Sequence, residues 1–388
     1  MNVNFEFLGE EPIENIVTCM NFSIDKVVYF GYTETIEKQR NNLEKFLKNN
    51  CGVKTVVFYP VSQKDFDATL NIMRDKIVYE YKQGNDLYFD ITGGESLILV
   101  AFGMLSKEFK APMHMYDIPT GNLIEFDTSI TQCLSKSVKV KKIAMTLDLL
   151  VEMHGGKINE NLNKRVKDNI DQGFHADIGK IYTVAKQYWD YWHCFSEVLR
   201  TVFNSVDDNF MVSKTKDEVR KALLTMKAKP NALEKINEIL NKLSIAGVLL
   251  DVTYSKKQYR FRFKNQNIKD CLWEAGSILE LHTYLKEYNR SDECRVGVHL
   301  DWDGIIHDNS CMDVTNEIDV LKLNGYVPTF ISCKSGKMGP QQTLHALYEL
   351  DMVAKRFGGK YARKVLVTAR GVNEIYMERA KEMGIEVR

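Results

Sequence analysis

Asp319, Ser332 and Lys334 lie in two short segments, Asn316-Glu317-Ile318-Asp319-Val320-Leu321 and Thr329-Phe330-Ile331-Ser332-Cys333-Lys334-Ser335-Gly336. Each alternates apolar with polar residues as a strand does, and Asn324-Gly325 between them predicts a hairpin turn. Alternation places Glu317 and Asp319 on one face of the first strand, and Ser332 and Lys334 on one face of the second. Carboxylates facing a lysine across a hairpin suit metal-assisted phosphodiester hydrolysis. The carboxylates hold a divalent cation that lowers the pKa of a bound water, and the ammonium holds that water or the scissile phosphate. The competing reading is a set of exposed cross-strand ion pairs, worth about 0–1 kcal/mol each.

The elements that must position these groups are legible on either side. A helical pattern over 277–288 carries Glu280, framed by apolar neighbours, and a strand pattern covers 295–300. After the hairpin come a helix over 341–357, a strand over 364–368 and a helix over 372–383. Residues 269–388 hold sixteen Lys and Arg against eighteen Asp and Glu, so an anionic substrate needs a local patch and the metal itself. The densest patch is the run from Lys355 to Lys364, with five cations, no acids and the aromatics Phe357 and Tyr361. It reads as phosphate contact plus base stacking, or as a solvated helix end whose cations favour the dipole.

A chain of 388 residues is long enough for two or three domains. Its formal net charge of zero gives no global pull toward nucleic acid or anionic membrane. No apolar stretch approaches membrane-spanning length, and Met1-Asn2-Val3-Asn4-Phe5 enters an alternating strand rather than a signal peptide. The eight cysteines lack CxxC or zinc-ligand spacing, which predicts free thiols in a reducing cytoplasm.

Strand runs at 3–8, 26–30, 53–59, 87–91 and 112–116 alternate with helical patterns at 13–19, 35–47, 66–81 and 97–109. This βαβα order predicts a doubly wound, mostly parallel sheet, which binds ligands beyond its strand ends where strand order reverses. Asp90-Ile91-Thr92-Gly93-Gly94-Glu95-Ser96 leaves one strand and opens a helix. Its glycines admit an anion to the first helical N–H groups, or simply make a tight turn. Gly9-Glu10-Glu11-Pro12 and Gly31-Tyr32-Thr33-Glu34 fall at the same sheet edge. The lysine-rich stretch 135–142 reads as a connector. From 143 to 268 the pattern is helical until a helix near 233–245 precedes strand runs at 248–254 and 258–263 around Lys256 and Lys257, as in a winged helix. His193, beside Trp189, Tyr191 and Trp192, reads as packed in an aromatic helix. His299, Asp301, Asp303, His307 and Asp308 read as a polar loop, with a second metal site as the alternative.

A helix acid, then a strand Asp, then a strand ending in acid-x-Lys is the order of the PD-(D/E)xK nucleases, which 269–388 resembles. Asp319 matches the metal-binding aspartate, Lys334 the catalytic lysine and Glu280 the helix acid. Ser332 stands where the family usually has Glu or Asp. That loss removes a charge and a ligand, and predicts Glu317 as compensator, with the Cys333 carbonyl and Ser332 hydroxyl completing the shell. The D-x-T-G-G run at 90–94 resembles the CRISPR-associated Rossmann-fold (CARF) sensors, although Ser96 stands near where many of them have Lys. Gly9, Glu10, Pro12 and Asn15 match a Gly-Glu-x-Pro-x-x-Asn segment. Together the two ends resemble the ancillary nucleases of type III CRISPR systems activated by cyclic tetra-adenylate.

The resemblance implies an α/β chain of three parts. These are a Rossmann-like CARF domain over 1–134, a helical, winged-helix-like connector over 135–268 and a PD-(D/E)xK, restriction-endonuclease-like domain over 269–388. It further implies a cytoplasmic homodimer sharing one cyclic tetra-adenylate on its two-fold axis. Gly9, Glu10, Pro12, Gly31, Tyr32, Thr33, Thr92, Gly93, Gly94, Glu95 and Ser96 would line that ligand, with Glu95 either on an adenine amino group or, preferably, capping its helix. Mn2+ or Mg2+ would sit on Glu280, Asp319, Glu317 and the Cys333 main-chain carbonyl. The substrate would be single-stranded DNA, RNA or a nicked duplex, with no membrane partner. The rival expectation is a ligand-sensing CARF/winged-helix DNA-binding regulator with a degenerate nuclease domain. Degradation of the activator by the sensor itself is a third.

Overall fold

The structure, a computed structural model, describes residues 1–126, 144–162, 172–204, 207, 209–255, 257–307 and 314–388. The lysine-rich stretch 135–142, Lys256 and Asp308 lie outside the described residues.

The first sheet comprises β1 (Asn2–Leu8), β2 (Lys26–Gly31), β3 (Thr55–Pro60), β4 (Asp86–Asp90), β5 (Met113–Asp117) and β6 (Asn122–Phe126), in the order β3-β2-β1-β4-β5-β6. The first five run parallel, and β6 turns back antiparallel on β5. Order reverses between β1 and β4, so the loops after these strands diverge and leave a crevice. α1 (Val17–Asn21), α2 (Thr33–Cys51), α3 (Phe66–Lys82) and α4 (Ser96–Phe109) connect the strands. One face packs Phe5, Phe30 and Phe89 against Phe102 of α4.

A second sheet, β8 (Met211–Thr215), β10 (Gln258–Phe263) and β9 (Leu249–Tyr254), is antiparallel in that spatial order. α8 (Lys216–Thr225) and α9 (Ala232–Ile245) lie between β8 and β9 in the chain, which is the winged-helix connectivity. α8 starts where it does because Thr215 and Glu218 form a reciprocal capping box. α6 (Gln172–Ala185) and α7 (Trp189–Thr201) precede this unit.

The third sheet has the order β15-β14-β13-β12-β11-β7. β11 (Glu293–Asp301), β12 (Thr315–Asn324) and β13 (Val327–Lys334) are antiparallel. β14 (Arg363–Thr368) and β15 (Ile385–Val387) continue parallel to β13. The two-residue β7 (Lys157–Ile158) joins the far edge, so a piece of the central segment completes the C-terminal sheet. α11 (Ser277–Tyr288), α12 (Pro340–Gly358) and α13 (Glu374–Glu382) flank it. The expected hairpin forms, with Asn324 paired to Val327 and Gly325 taking φ +58° in the turn.

One hydrophobic core runs through both α/β units. Ile13, Ile16 and Tyr29 from the first sheet and its helix join Leu321, Tyr326 and Phe330 of the hairpin. At its boundary the Tyr326 ring stands edge-on to Tyr116, 5.6 Å between centroids, and its hydroxyl accepts from Asn21 at 2.8 Å.

Candidate active site and ligand loops

The β12–β13 ladder runs from Asn324/Val327 to Val320/Ile331 and stops one residue short of Asp319. There the Asp319 carboxylate takes over the pairing. It accepts from the Cys333 amide at 2.6 Å and from the Ser332 hydroxyl at 3.2 Å. On the other side, Val296 pairs with Val320 and Val298 with Ile318, while Gly297 between them takes φ +60°. Only glycine adopts that conformation inside a strand without cost. Consequently the alternation of β12 breaks at Asp319: Ile318 and Leu321 enter the core shared with the first sheet, and Val320 enters that of the helical unit. The strands part where the predicted chemistry is concentrated.

Glu280 sits in the first turn of α11, with its residue 8 % exposed. Its carboxylate folds back over the helix start, and a Cβ on Gly276 would lie 2.9 Å from its Oε1. A helix N-terminus favours such a charge. Burial pushes the Cys333 thiol well above its ordinary value, and the charges of Asp319 and then Glu280 push it further. A hydrogen bond with Thr283 and the Lys334 ammonium act the other way. Both carboxylates and the lysine therefore act on one point at the buried end of β13, and the thiol stays protonated and unreactive. Glu317 lies across the ladder from His299, its Oε1 3.9 Å from Nε2.

Among the described residues no group of three or more His, Cys, Asp or Glu side chains is gathered as if to hold a metal. Glu280, Asp319 and Glu317, expected to share a cation with Glu317 compensating for Ser332, therefore do not come together as a three-carboxylate cluster. Two carboxylates and a main-chain carbonyl are hard oxygen donors, and they suit Mg2+ or Mn2+ rather than a thiophilic ion.

Two placements differ from those expected. His193 is exposed rather than packed among the aromatic residues of α7, and its Nε2 lies 3.3 Å from Ser335 Oγ. The basic run is mostly engaged within the fold. Lys355 and Lys364 both pair with Asp351, at 2.8 and 2.6 Å. Arg356 donates to the main-chain carbonyls of His154, Gly155 and Trp302. Lys360 Nζ pairs with Glu14 at 2.5 Å, and the Tyr361 hydroxyl donates to the same Oε1 at 2.6 Å. These groups staple the molecule together instead of forming a free nucleic-acid platform. In the loop after β11, Asp301 and Asp303 accept from the amides of Gly304 and Ile305, each at 2.8 Å, which fits the polar-loop reading.

The N-terminal loops do meet at one sheet edge. Asn15 clamps Gly9 reciprocally, accepting from its amide at 3.1 Å and donating to its carbonyl at 3.0 Å. Gly31 is required by close approach, since a Cβ there would lie 2.9 Å from Leu8 Cβ. The Thr92 amide donates to Asp90 at 2.7 Å, and its hydroxyl accepts from the Tyr116 amide at 2.9 Å. Gly94 takes φ +132°, and a Cβ on Gly93 would meet Glu14 Oε2 at 2.9 Å. Glu95 occupies the N-cap position of α4 but makes no side-chain cap; it accepts from the Tyr32 hydroxyl at 2.7 Å. Burial and then this bond push the Tyr32 phenol up to about 12. Glu10, Thr33, Glu95 and Ser96 are exposed, and Pro12 is half-buried. Glu11 leaves the crevice altogether. Its Oε2 accepts from the Lys360 amide at 2.7 Å, and its Oε1 lies 3.5 Å from His154 Nε2. Sequence reasoning missed this contact because nothing local to Gly9–Pro12 signals a partner so far along the chain.

Residues 271–388 match the family of the Card1-like endonuclease domain. Over its whole length the chain resembles the crystal structure of protein VC1899 from Vibrio cholerae, at 14 % identity and TM-score 0.71, covering 93 % of that chain. Likewise over its whole length it resembles Can2 from Sulfobacillus thermosulfidooxidans, solved in complex with cyclic tetra-adenylate, at 12 % identity and TM-score 0.63, again covering 93 %. No curated protein matches the sequence. Residues 271–388 thus match a Card1-like endonuclease domain, within a chain that shares its overall fold with VC1899 and Can2.

Proposed function

We propose that this chain is a cyclic tetra-adenylate-activated, metal-dependent endonuclease of type III CRISPR antiviral defence, acting in the cytoplasm as a homodimer. The observation that carries the reading is the opening of the β12–β13 ladder at Asp319, whose carboxylate takes the Ser332 hydroxyl and the Cys333 amide beside Lys334, inside the residues that match an endonuclease domain. Glu280 and Asp319, with the Cys333 carbonyl, would hold Mn2+ or Mg2+, and Glu317, opposite His299, would stay outside that set. A bound ion of this kind supplies charge stabilisation and a water acidic enough to attack a phosphodiester. Ser332 orients the Asp319 carboxylate through its hydroxyl. Lys334 holds the phosphate or the water.

The activator assignment is supported by the fold shared with Can2 and by the loops at Gly9–Pro12, Gly31–Thr33 and Thr92–Ser96, which border one crevice at the strand-order switch. Dimerisation is supported by α4, where Leu97, Val100 and Met104 form an exposed apolar stripe directly after those loops. No helix among the described residues is long and apolar enough to cross a membrane.

The decisive experiment incubates the protein with Mn2+ and labelled single-stranded DNA, RNA and nicked duplex, with and without cyclic tetra-adenylate. Cleavage should need both the metal and the activator, and should fall at least about 100-fold in Lys334→Ala. The rival regulator draws on Ser332 and on the winged-helix unit. Sequence-selective duplex binding with no cleavage under any of these conditions would establish it instead.

A further inference from the structure

Beside Lys334 opens a cavity of about 570 Å³, a size suited to one nucleotide-scale group. Ser335 and Gly336 at the end of β13 form one wall, and Gln341 and His345 in the first turns of α12 form another. The remaining wall is His193 of α7, the one lining residue among the described residues that comes from outside the endonuclease segment.

His193 is held there by more than chance proximity. Its Nε2 is within hydrogen-bonding distance of Ser335 Oγ at 3.3 Å. A Cβ on Gly336 would lie 3.3 Å from the same nitrogen, so the absent side chain is what admits the ring. One turn earlier on α7, Asp190 forms an ion pair with Arg370, which follows β14 and pins this helix to the nuclease edge. Although its residue is exposed overall, partial desolvation of the ring, and then the Arg370 charge, hold His193 below its usual value, which favours a neutral imidazole with one N–H to donate. The cavity also presents the Lys334 ammonium and the Gln341 amide. Its carboxylate, Glu349, is already engaged by Asn316 at 3.3 Å and lies 3.8 Å from His345. The lining is therefore rich in donors, and sugar–phosphate is rich in acceptors.

We propose that His193 is a substrate-positioning residue, and that this cavity holds the sugar–phosphate of the nucleotide flanking the scissile bond of a single-stranded nucleic acid. The proposal rests on the nuclease reading and adds to it a residue from the helical unit. One wall of the substrate cradle then comes from outside the endonuclease segment.

The test compares wild type, His193→Ala and His193→Gln, the last keeping an amide donor near the position of Nε2. Binding is read by fluorescence anisotropy of labelled single-stranded DNA and RNA in EDTA with cyclic tetra-adenylate present, and steady-state cleavage is read in Mn2+. His193→Ala should weaken binding and raise KM by about tenfold, with kcat within about twofold and an unchanged melting temperature. His193→Gln should recover most of the loss. Binding and KM of His193→Ala within twofold of wild type would overturn the proposal, as would a fall in kcat alone. Lys334→Ala separates the two readings. If wild type never cleaves yet His193→Ala binds tenfold more weakly, the subsite stands and the nuclease reading fails. If cleavage depends on Lys334 while His193→Ala behaves as wild type, the reverse holds.

Discussion

Beneath the N-terminal loops lies a buried polar network, whereas in the C-terminal sheet the polar groups are the site itself. Glu6, Asp90, His114 and Thr18 are nearly inaccessible and sit under the loop that starts at Ile91. Thr18 donates to Asp90, and His114 Nε2 lies 3.7 Å from the same carboxylate. Burial alone would raise Asp90, yet the charge and hydrogen bond of His114, with bonds from Glu6 and Thr18, bring it down to about 2. Glu6 moves the opposite way, driven well up by burial and then by the Asp90 charge. One carboxyl keeps its proton so that the other can stay ionised and hold the Thr92 amide. The crevice is thus shaped from below, by groups no ligand touches. At Asp319 the supporting bonds and the proposed chemistry fall on the same atoms, so stability and activity are coupled there.

The largest test of that contrast is Asp319→Ala. Cleavage should fall at least about 1000-fold, because the variant removes a proposed metal donor. It also leaves the Cys333 amide without its acceptor, at a cost of about 1–3 kcal/mol, readable by chemical denaturation. Loss of activity with no loss of stability would break the claim that the two are joined.

A smaller effect is expected where the regions meet. Glu14→Gln weakens the contacts to Lys360 and Tyr361 while leaving the crevice backbone in place. Activator affinity, measured by calorimetry, should stay within about threefold, while stimulation of cleavage drops about tenfold, a coupling loss near 1.4 kcal/mol. Equal losses in both would place Glu14 in the binding site proper.

The smallest effect, and the one that sharpens the comparison, is Glu6→Gln. A carboxyl raised in the folded state gives stability that is complete below its unfolded value near 4.5 and is lost as pH rises through its folded value. Glutamine imitates the protonated form permanently. The variant should therefore match wild type in melting temperature near pH 4.5 and exceed it by a growing margin toward pH 8. Asp90 has the opposite sign, and its contribution is lost only as pH falls toward about 2.

The succession of strands and helices in the first sheet, the hairpin and the helix carrying Glu280 were all readable, because each rests on alternation or helical period within its own segment. The site's shape was not. Alternation fails at Asp319 because Gly297, on the neighbouring strand, turns the sheet there, and no pattern within β12 announces it. The basic run misled for a similar reason: Glu14 and the His154 carbonyl lie on other elements, and only the Lys355–Asp351 pair, four residues apart on α12, is local. β7 is two residues long and carries no signal of its own. Glu95 resembled a cap in sequence, but its carboxylate is drawn away by Tyr32.

Tyr326, at the tip of the β12–β13 hairpin, is seated against Asn21 and Tyr116, and Leu321 and Phe330 behind it share their core with the first sheet. A proteolytic cut that freed the last third of the molecule would strip this apolar cover from the hairpin. Such a fragment should clump or be degraded rather than persist as a free-standing unit, so the C-terminal sheet depends on the first one for its cover.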